Sequence, residues 1–200
     1  MLRRYYYLLS TVVLLNSSAQ CDSWEVIQTI NMESDLNFEQ VDSINTQQAA
    51  NFVHFDDALE HSEQRLNLSE NAINLVQVEG SDNQQALNLL SANHIKDNNQ
   101  SVLNVSEITL LQQDGSANIQ AGNLLRSQGD LSGSQRIYTN TMNFQQYNGN
   151  ANIQAANIAI GKSGQVTQVF SAKQVNISSN EANAMDKLSL QAANYIGNND

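Results

Sequence analysis

The chain has no proline, one cysteine, three histidines and only nine lysines and arginines in 200 residues. Each shortage excludes something. Proline removes a ladder donor and is kept out of central strands, so a chain without it can have its backbone paired along its whole length. The same absence is typical of segments that form cross-β structure. The lone thiol, Cys21, rules out an internal disulfide framework. Twenty acidic residues against nine basic ones give a formal net charge of −11. Phosphate recognition needs basic patches, so nucleic acid is not an expected partner. Aromatic residues make up 6% of the chain, too few to line every repeat with a stacking platform. His54, His61 and His94 are scattered, and a metal site needs more convergent ligands. Asp56-Asp57-Ala58-Leu59-Glu60 lacks the alternating spacing of a calcium loop. The calcium-binding glycine-rich nonapeptide of many β-rolls is missing, as are the G-x-S-x-G, H-E-x-x-H and Walker patterns. No enzyme activity, metal or cofactor is expected.

What is abundant is amide. Asparagine and glutamine together make up about a quarter of the residues, a composition that favours β-association when exposed. They fall in a pattern. Q-A-x-N occurs at Gln48–Asn51, Gln85–Asn88, Gln120–Asn123, Gln154–Asn157 and Gln191–Asn194, with steps between the glutamines of 37, 35, 34 and 37. A fixed period of 20–50 residues is the signature of a stacked repeat architecture. A second series, an asparagine between two apolar residues, alternates with the first at Asn37, Asn67, Asn104, Asn143 and Asn176. Apolar residues two apart share one face of a strand. Leu103, Val105, Ile108 and Leu110 read this way with one slip of register. Adjacent pairs such as Leu89-Leu90 and Leu124-Leu125 suggest a bend where a strand turns a corner.

Turn signals separate the two series: Gly80-Ser81-Asp82-Asn83, Asp114-Gly115-Ser116-Ala117-Asn118 and Asn148-Gly149-Asn150. Residues 83–93 could line a helical stripe, but asparagine, serine and glycine are poor helix formers. The expected fold is all-β: a β-solenoid or stack of β-arches, with five two-part repeats of about 35 residues. These cover about 36–65, 66–102, 103–141, 142–174 and 175–200, after a lead-in over 20–35. In such a stack, equivalent side chains lie about 4.8 Å apart. Buried amides can then bond to one another along the axis. Gln48, Asn51, Gln85, Asn88, Gln120, Asn123, Gln154, Asn157, Gln191 and Asn194 are the first candidates for such ladders, and the five asparagines of the second series are the next. Gln and Asn of Q-A-x-N have opposite strand parity, so the competing reading puts these asparagines at corners in the left-handed conformation.

Residues 1–19 read as a secretory signal. Arg3-Arg4 precede an apolar stretch from Tyr5 to Leu15, too short to span a bilayer, and Ser17-Ser18-Ala19 fits a cleavage site. Nothing later is apolar enough to cross a membrane. The expected destination is extracellular or cell-surface, reached through the periplasm. Cys21 just after the signal raises lipidation and an outer-membrane lipoprotein, although Gln20 does not suit that processing site. Asn67, Asn104 and Asn176 begin N-x-[ST] sequons that arise from the repeat pattern itself.

The acidic residues are concentrated before residue 115, and the chain from Ile119 onward is almost neutral. The C-terminal half is therefore the better surface for self-association. Exported, amide-rich repeats with turns such as Gly80-Ser81-Asp82-Asn83-Gln84-Gln85-Ala86 resemble bacterial functional-amyloid subunits. The repeat length and the N-x-Q-A-x-N wording resemble Fap-type fibre subunits, and Asp114–Asn118 resembles curlin repeats. The resemblance spans roughly 36–196. It implies biofilm-matrix and adhesion fibres, export through an outer-membrane secretion pore, and a second fibre subunit or nucleator as partner. The chain could be the major subunit or the nucleating one. The alternative is a monomeric secreted β-solenoid that binds a polysaccharide or cell-surface partner. A small β-helix hydrolase would need carboxylates recurring at the period, which they do not.

Overall fold

The computed structural model describes residues 26–180 and 189–198, and there the chain is a parallel β-solenoid of twelve strands with no helix. The proposed signal, Cys21 and the residues around them lie outside this range. Each coil has three straight segments rather than two. Coil 1 comprises β1 (Val26–Asn31), β2 (Leu36–Val41) and β3 (Gln47–His54), and coil 2 comprises β4 (Ala58–Asn67), β5 (Ala72–Val78) and β6 (Gln84–Ala92). In coils 3 to 5 the first two segments fuse into the long strands β7 (His94–Gln113), β9 (Asp130–Tyr147) and β11 (Ser163–Asn180). The third segments are β8 (Ile119–Ser127), β10 (Ile153–Gly161) and β12 (Leu190–Asn198).

All pairing is parallel, and each residue meets its equivalent one coil on, as in Ala86↔Ala121 and Asn157↔Asn194. The third segments form a five-stranded sheet ordered β12-β10-β8-β6-β3. The first and second segments form the facing, bent sheet. The expected lead-in is thus part of the solenoid: Val26–Asn31 pairs in register with Ser62–Asn67 and begins coil 1.

The corners explain the segment lengths. Coil 2 passes from its first to its second segment through Ser69 and Glu70, both at positive φ. Coil 3 makes the same corner with Asn104 alone, at φ 55°, and the register against β9 shifts between Val102 and Val105. This is the slip expected between Val105 and Ile108, placed one step earlier. The corner before the third segment is a stacked turn in which Asp42, Glu79, Asp114 and Asn148 all take positive φ. Gly115 there has φ +76°, and a Cβ on it would lie 2.4 Å from the carbonyl oxygen of Gly80 in the coil before, so a side chain has no room.

The core lies between the two sheets in columns, one residue per coil. Leu36, Ile73, Ile108 and Met142 form one, and Leu75, Leu110 and Phe144 form another, all buried. A second inner cluster gathers Val53, Leu90, Leu125 and Ala159 against Leu59, Ile95 and Leu131 where the third segment turns into the next coil. Leu89-Leu90 does not mark a corner. Both sit inside the unbroken strand β6, Leu90 in that inner cluster and Leu89 on the opposite face with Ala86, Leu124 and Ile158.

Candidate functional site: amide ladders and open ends

The Q-A-x-N residues form two continuous inner ladders. Gln85 Nε2 donates to Gln48 Oε1 at 2.8 Å, Gln120 to Gln85 at 2.8 Å, Gln154 to Gln120 at 2.9 Å and Gln191 to Gln154 at 2.8 Å. Asn51 Nδ2 donates to Asn88 Oδ1 at 2.7 Å, Asn88 to Asn123 at 2.7 Å, Asn123 to Asn157 at 2.8 Å and Asn157 to Asn194 at 2.9 Å. The asparagines are not at corners, and none of the five has positive φ.

Opposite parity does not part the two ladders, because the pleat breaks between them. Pairing runs through Ala86↔Ala121 and resumes at Asn88↔Asn123, passing over Leu87 and Gly122. The extra residue turns Asn to the same side as Gln. Both then reach backbone carbonyls of the facing sheet: Gln120 Nε2 to Leu111 O at 2.9 Å, and Asn88 Nδ2 to Ser101 O at 3.0 Å. Each amide therefore ties neighbouring coils together and ties sheet to sheet. Buried amides left unpaired would be costly, so these bonds make the interior of the stack specific as well as stable.

Two further inner columns were not anticipated from sequence. Gln28, Gln64, Gln100, Gln135 and Gln168 form a complete ladder with distances of 2.7–3.0 Å. Their only signal shared by all five is spacing, with steps of 36, 36, 35 and 33 and no flanking residue common to every coil. The other column runs Gln40, Gln77, Gln112 through bonds of 2.8 and 2.9 Å and then fails. Both amide atoms of Gln146, and Gln112 Oε1, are buried without a partner. Replacing Gln146 by Leu should therefore stabilise the fold by about 1 kcal/mol, since an unpaired buried amide costs about that or more. A urea midpoint that falls instead would show that Gln146 is satisfied in solution.

The asparagines flanked by apolar residues divide between two outer columns. Asn37 stacks on Asn74 (2.7 Å), in a column that continues through Thr109, Asn143 and Asn176. Asn67 and Asn104 belong to the end of the first segment, with Asn31, at 3.3 and 2.8 Å. The corner between segments separates the two groups, so they make no single ladder. A further column of buried turn asparagines precedes the third segment. Asn83 Oδ1 accepts from Thr46 N, Asn118 Oδ1 from Asn83 N and Asn152 Oδ1 from Asn118 N, each at 3.0 Å.

Titratable groups lie outside the core. His54 faces Asp56 at 3.4 Å and His61 faces Asp97 at 3.8 Å, all well exposed. Among the described residues no three histidine, cysteine or carboxylate groups converge to hold a metal. The stacked turn brings Glu79 between Asp42 and Asp114. A hydrogen bond with Asp42, the Asp42 charge and, more weakly, the Asp114 charge push the Glu79 carboxyl above the ordinary glutamate range. An acid raised in the folded state binds its proton more tightly there. Its contribution is complete below the ordinary glutamate value and is lost as pH rises through the raised one. Glu79→Gln should raise the melting temperature at pH 7 and leave it nearly unchanged at pH 4. An equal gain at both pH values would remove carboxylate repulsion as the cause.

The two ends of the stack carry the remaining chemistry. Among the described residues β1, β2, β3, β11 and β12 each pair on one side only. The core columns run into the last coil and stop there. Val175 and Ile177 are 44% and 61% exposed, whereas Met142 and Phe144, directly beneath them, are 0% and 1%. Ladder ends and strand edges are presented with them. No helix among the described residues is long and apolar enough to cross a membrane. Comparison with protein-family models, with curated proteins and with solved structures gave no match to this chain.

Proposed function

We propose that this chain is a secreted subunit that stacks end on end into an extracellular amyloid-like fibre serving adhesion and the biofilm matrix. The observation that carries this reading is the last coil: among the described residues, apolar columns, amide ladders and backbone edges all reach it and end there without a partner. Edge strands of soluble proteins are normally blunted by charge, proline or a covering element, and solenoids by polar terminal caps. Here the described part of coil 5 carries Lys173 as its only charged side chain and no proline. A second molecule of the same chain offers what would cover it, further rungs of the same period. Export through an outer-membrane pore, and a companion subunit or nucleator, belong to the same proposal.

The test uses the chain without residues 1–19, incubated above 100 μM with thioflavin and reseeded with its own fragments. The expected outcome is seeded growth of straight fibres. A protein that stays monomeric for weeks, with or without seeds, overturns the proposal.

A further inference from the structure

The ladders have direction. In the Gln28 and Gln48 columns every amide nitrogen donates to the coil before it, as Gln64 does to Gln28 and Gln85 to Gln48. Coil 5 ends both columns in the same sense, Gln168 onto Gln135 and Gln191 onto Gln154. The Asn51 column runs the other way, each nitrogen donating to the coil after it, up to Asn157 onto Asn194. These senses are pinned. Within the stack the same nitrogens donate a second hydrogen across the core, Gln100 to Leu124 O at 3.2 Å and Asn123 to Arg136 O at 3.1 Å. Turning an amide over would set oxygen against oxygen at both places.

The ends are therefore unlike, and complementary. Among the described residues, coil 1 has unused ladder donors at Gln28 Nε2 and Gln48 Nε2 and an unused acceptor at Asn51 Oδ1. Coil 5 has unused acceptors at Gln168 Oε1 and Gln191 Oε1 and an unused donor at Asn194 Nδ2. We infer that the joint between molecules is unidirectional: coil 1 of one copy seats on coil 5 of the next, Gln28 on Gln168, Gln48 on Gln191 and Asn51 on Asn194. This deepens the fibre reading above and rests on it. At that joint all three columns keep their sense across the boundary, and Val175 and Ile177 continue into the columns of Leu36 and Phe38.

Charge and symmetry oppose the other joints. Coil 1 carries Glu33, Asp35, Glu39, Asp42, Asp56 and Asp57 and no lysine or arginine, so two such ends repel. Two coil-5 ends related by a two-fold axis would set the same donor and acceptor pattern against itself and run the strands antiparallel. A head-to-tail joint is heterologous and leaves a fresh end after every addition, which is the geometry of a filament.

Two blocked variants test the direction. Gln47→Glu with Gln48→Glu adds carboxylates at the coil-1 end. The carboxylate at position 48 can still accept from Gln85 but has no hydrogen to donate to the next copy. Val175→Glu with Ile177→Glu charges exposed positions at the coil-5 end. Both blocks are negative, so blocked ends do not attract one another. Sedimentation velocity should show each variant monomeric alone and an equimolar mixture forming a heterodimer that grows no further. Dimerisation of the coil-5-blocked variant alone would mean a head-to-head joint. Dimerisation of the coil-1-blocked variant alone would mean tail-to-tail. Either overturns the inference while leaving fibre formation standing, as does a mixture that stays monomeric when each variant keeps the parent's circular dichroism. A parent protein that never assembles overturns the fibre reading itself.

Discussion

Replacing Gln120 by Ala should destabilise the monomer by about 3–5 kcal/mol, enough to leave a domain of ordinary stability largely unfolded. Gln120 is fully buried in the middle coil. Its nitrogen donates to Gln85 Oε1, Leu75 O and Leu111 O, and its oxygen accepts from Gln154. Alanine removes the bonds and leaves a cavity, while Gln85 Oε1 and two carbonyls lose a donor they cannot replace from water. Equilibrium urea unfolding measures the loss. A change below about 1 kcal/mol would reduce the ladder to decoration on a fold held by its apolar columns alone. Gln120→Glu is more severe at neutral pH, because it sets a buried carboxylate against three acceptors.

The second large effect concerns assembly. Gln154→Ala with Asn157→Ala should slow fibre elongation at least tenfold, measured by seeded thioflavin kinetics, while Lys162→Ala with Lys173→Ala changes it less than twofold. Gln154 and Asn157 hold coil 5 to the stack, bonding Gln191 and Asn194 at 2.8 and 2.9 Å. Without them the first part of coil 5 keeps its Gln168 and Asn176 bonds, but its third segment is held mainly by backbone pairing and shallow apolar contacts, and it frays. A frayed coil 5 is a poor template. Lys162 and Lys173 are exposed and carry no ladder bond. Equal effects of the two double variants would contradict the ladder account of growth.

The repeat and its strand character were legible because Q-A-x-N keeps its wording in all five coils. The inward turn of its asparagine was not, since it depends on a break in the pleat at residues as different as Leu87, Gly122 and Ala156. The ladder from Gln28 to Gln168 was hidden for a related reason. Its neighbours point away from the ladder, so Thr29, Arg65, Ser101, Arg136 and Val169 share no residue type across the five coils and no motif forms. The apolar-flanked asparagines misled through coil 2, which has two such triplets. Leu66-Asn67-Leu68 comes first along the chain, but Ile73-Asn74-Leu75 is the equivalent of Leu36-Asn37-Phe38. The division between the first and second segments of each coil was missed because β7, β9 and β11 run through the corner that divides β4 from β5. The sense of the ladders at the two ends could not be read from sequence, because it depends on which way each amide is turned.

Electron cryo-microscopy of fibres grown from the chain without residues 1–19 tests the central claim most directly. Five coils at about 4.8 Å each predict a subunit rise of about 24 Å along the axis. The map should show the inner columns crossing every subunit boundary without a gap and all subunits pointing one way. A rise well away from that value, subunits facing in alternate directions, or side-by-side packing with the ends left bare would contradict the account.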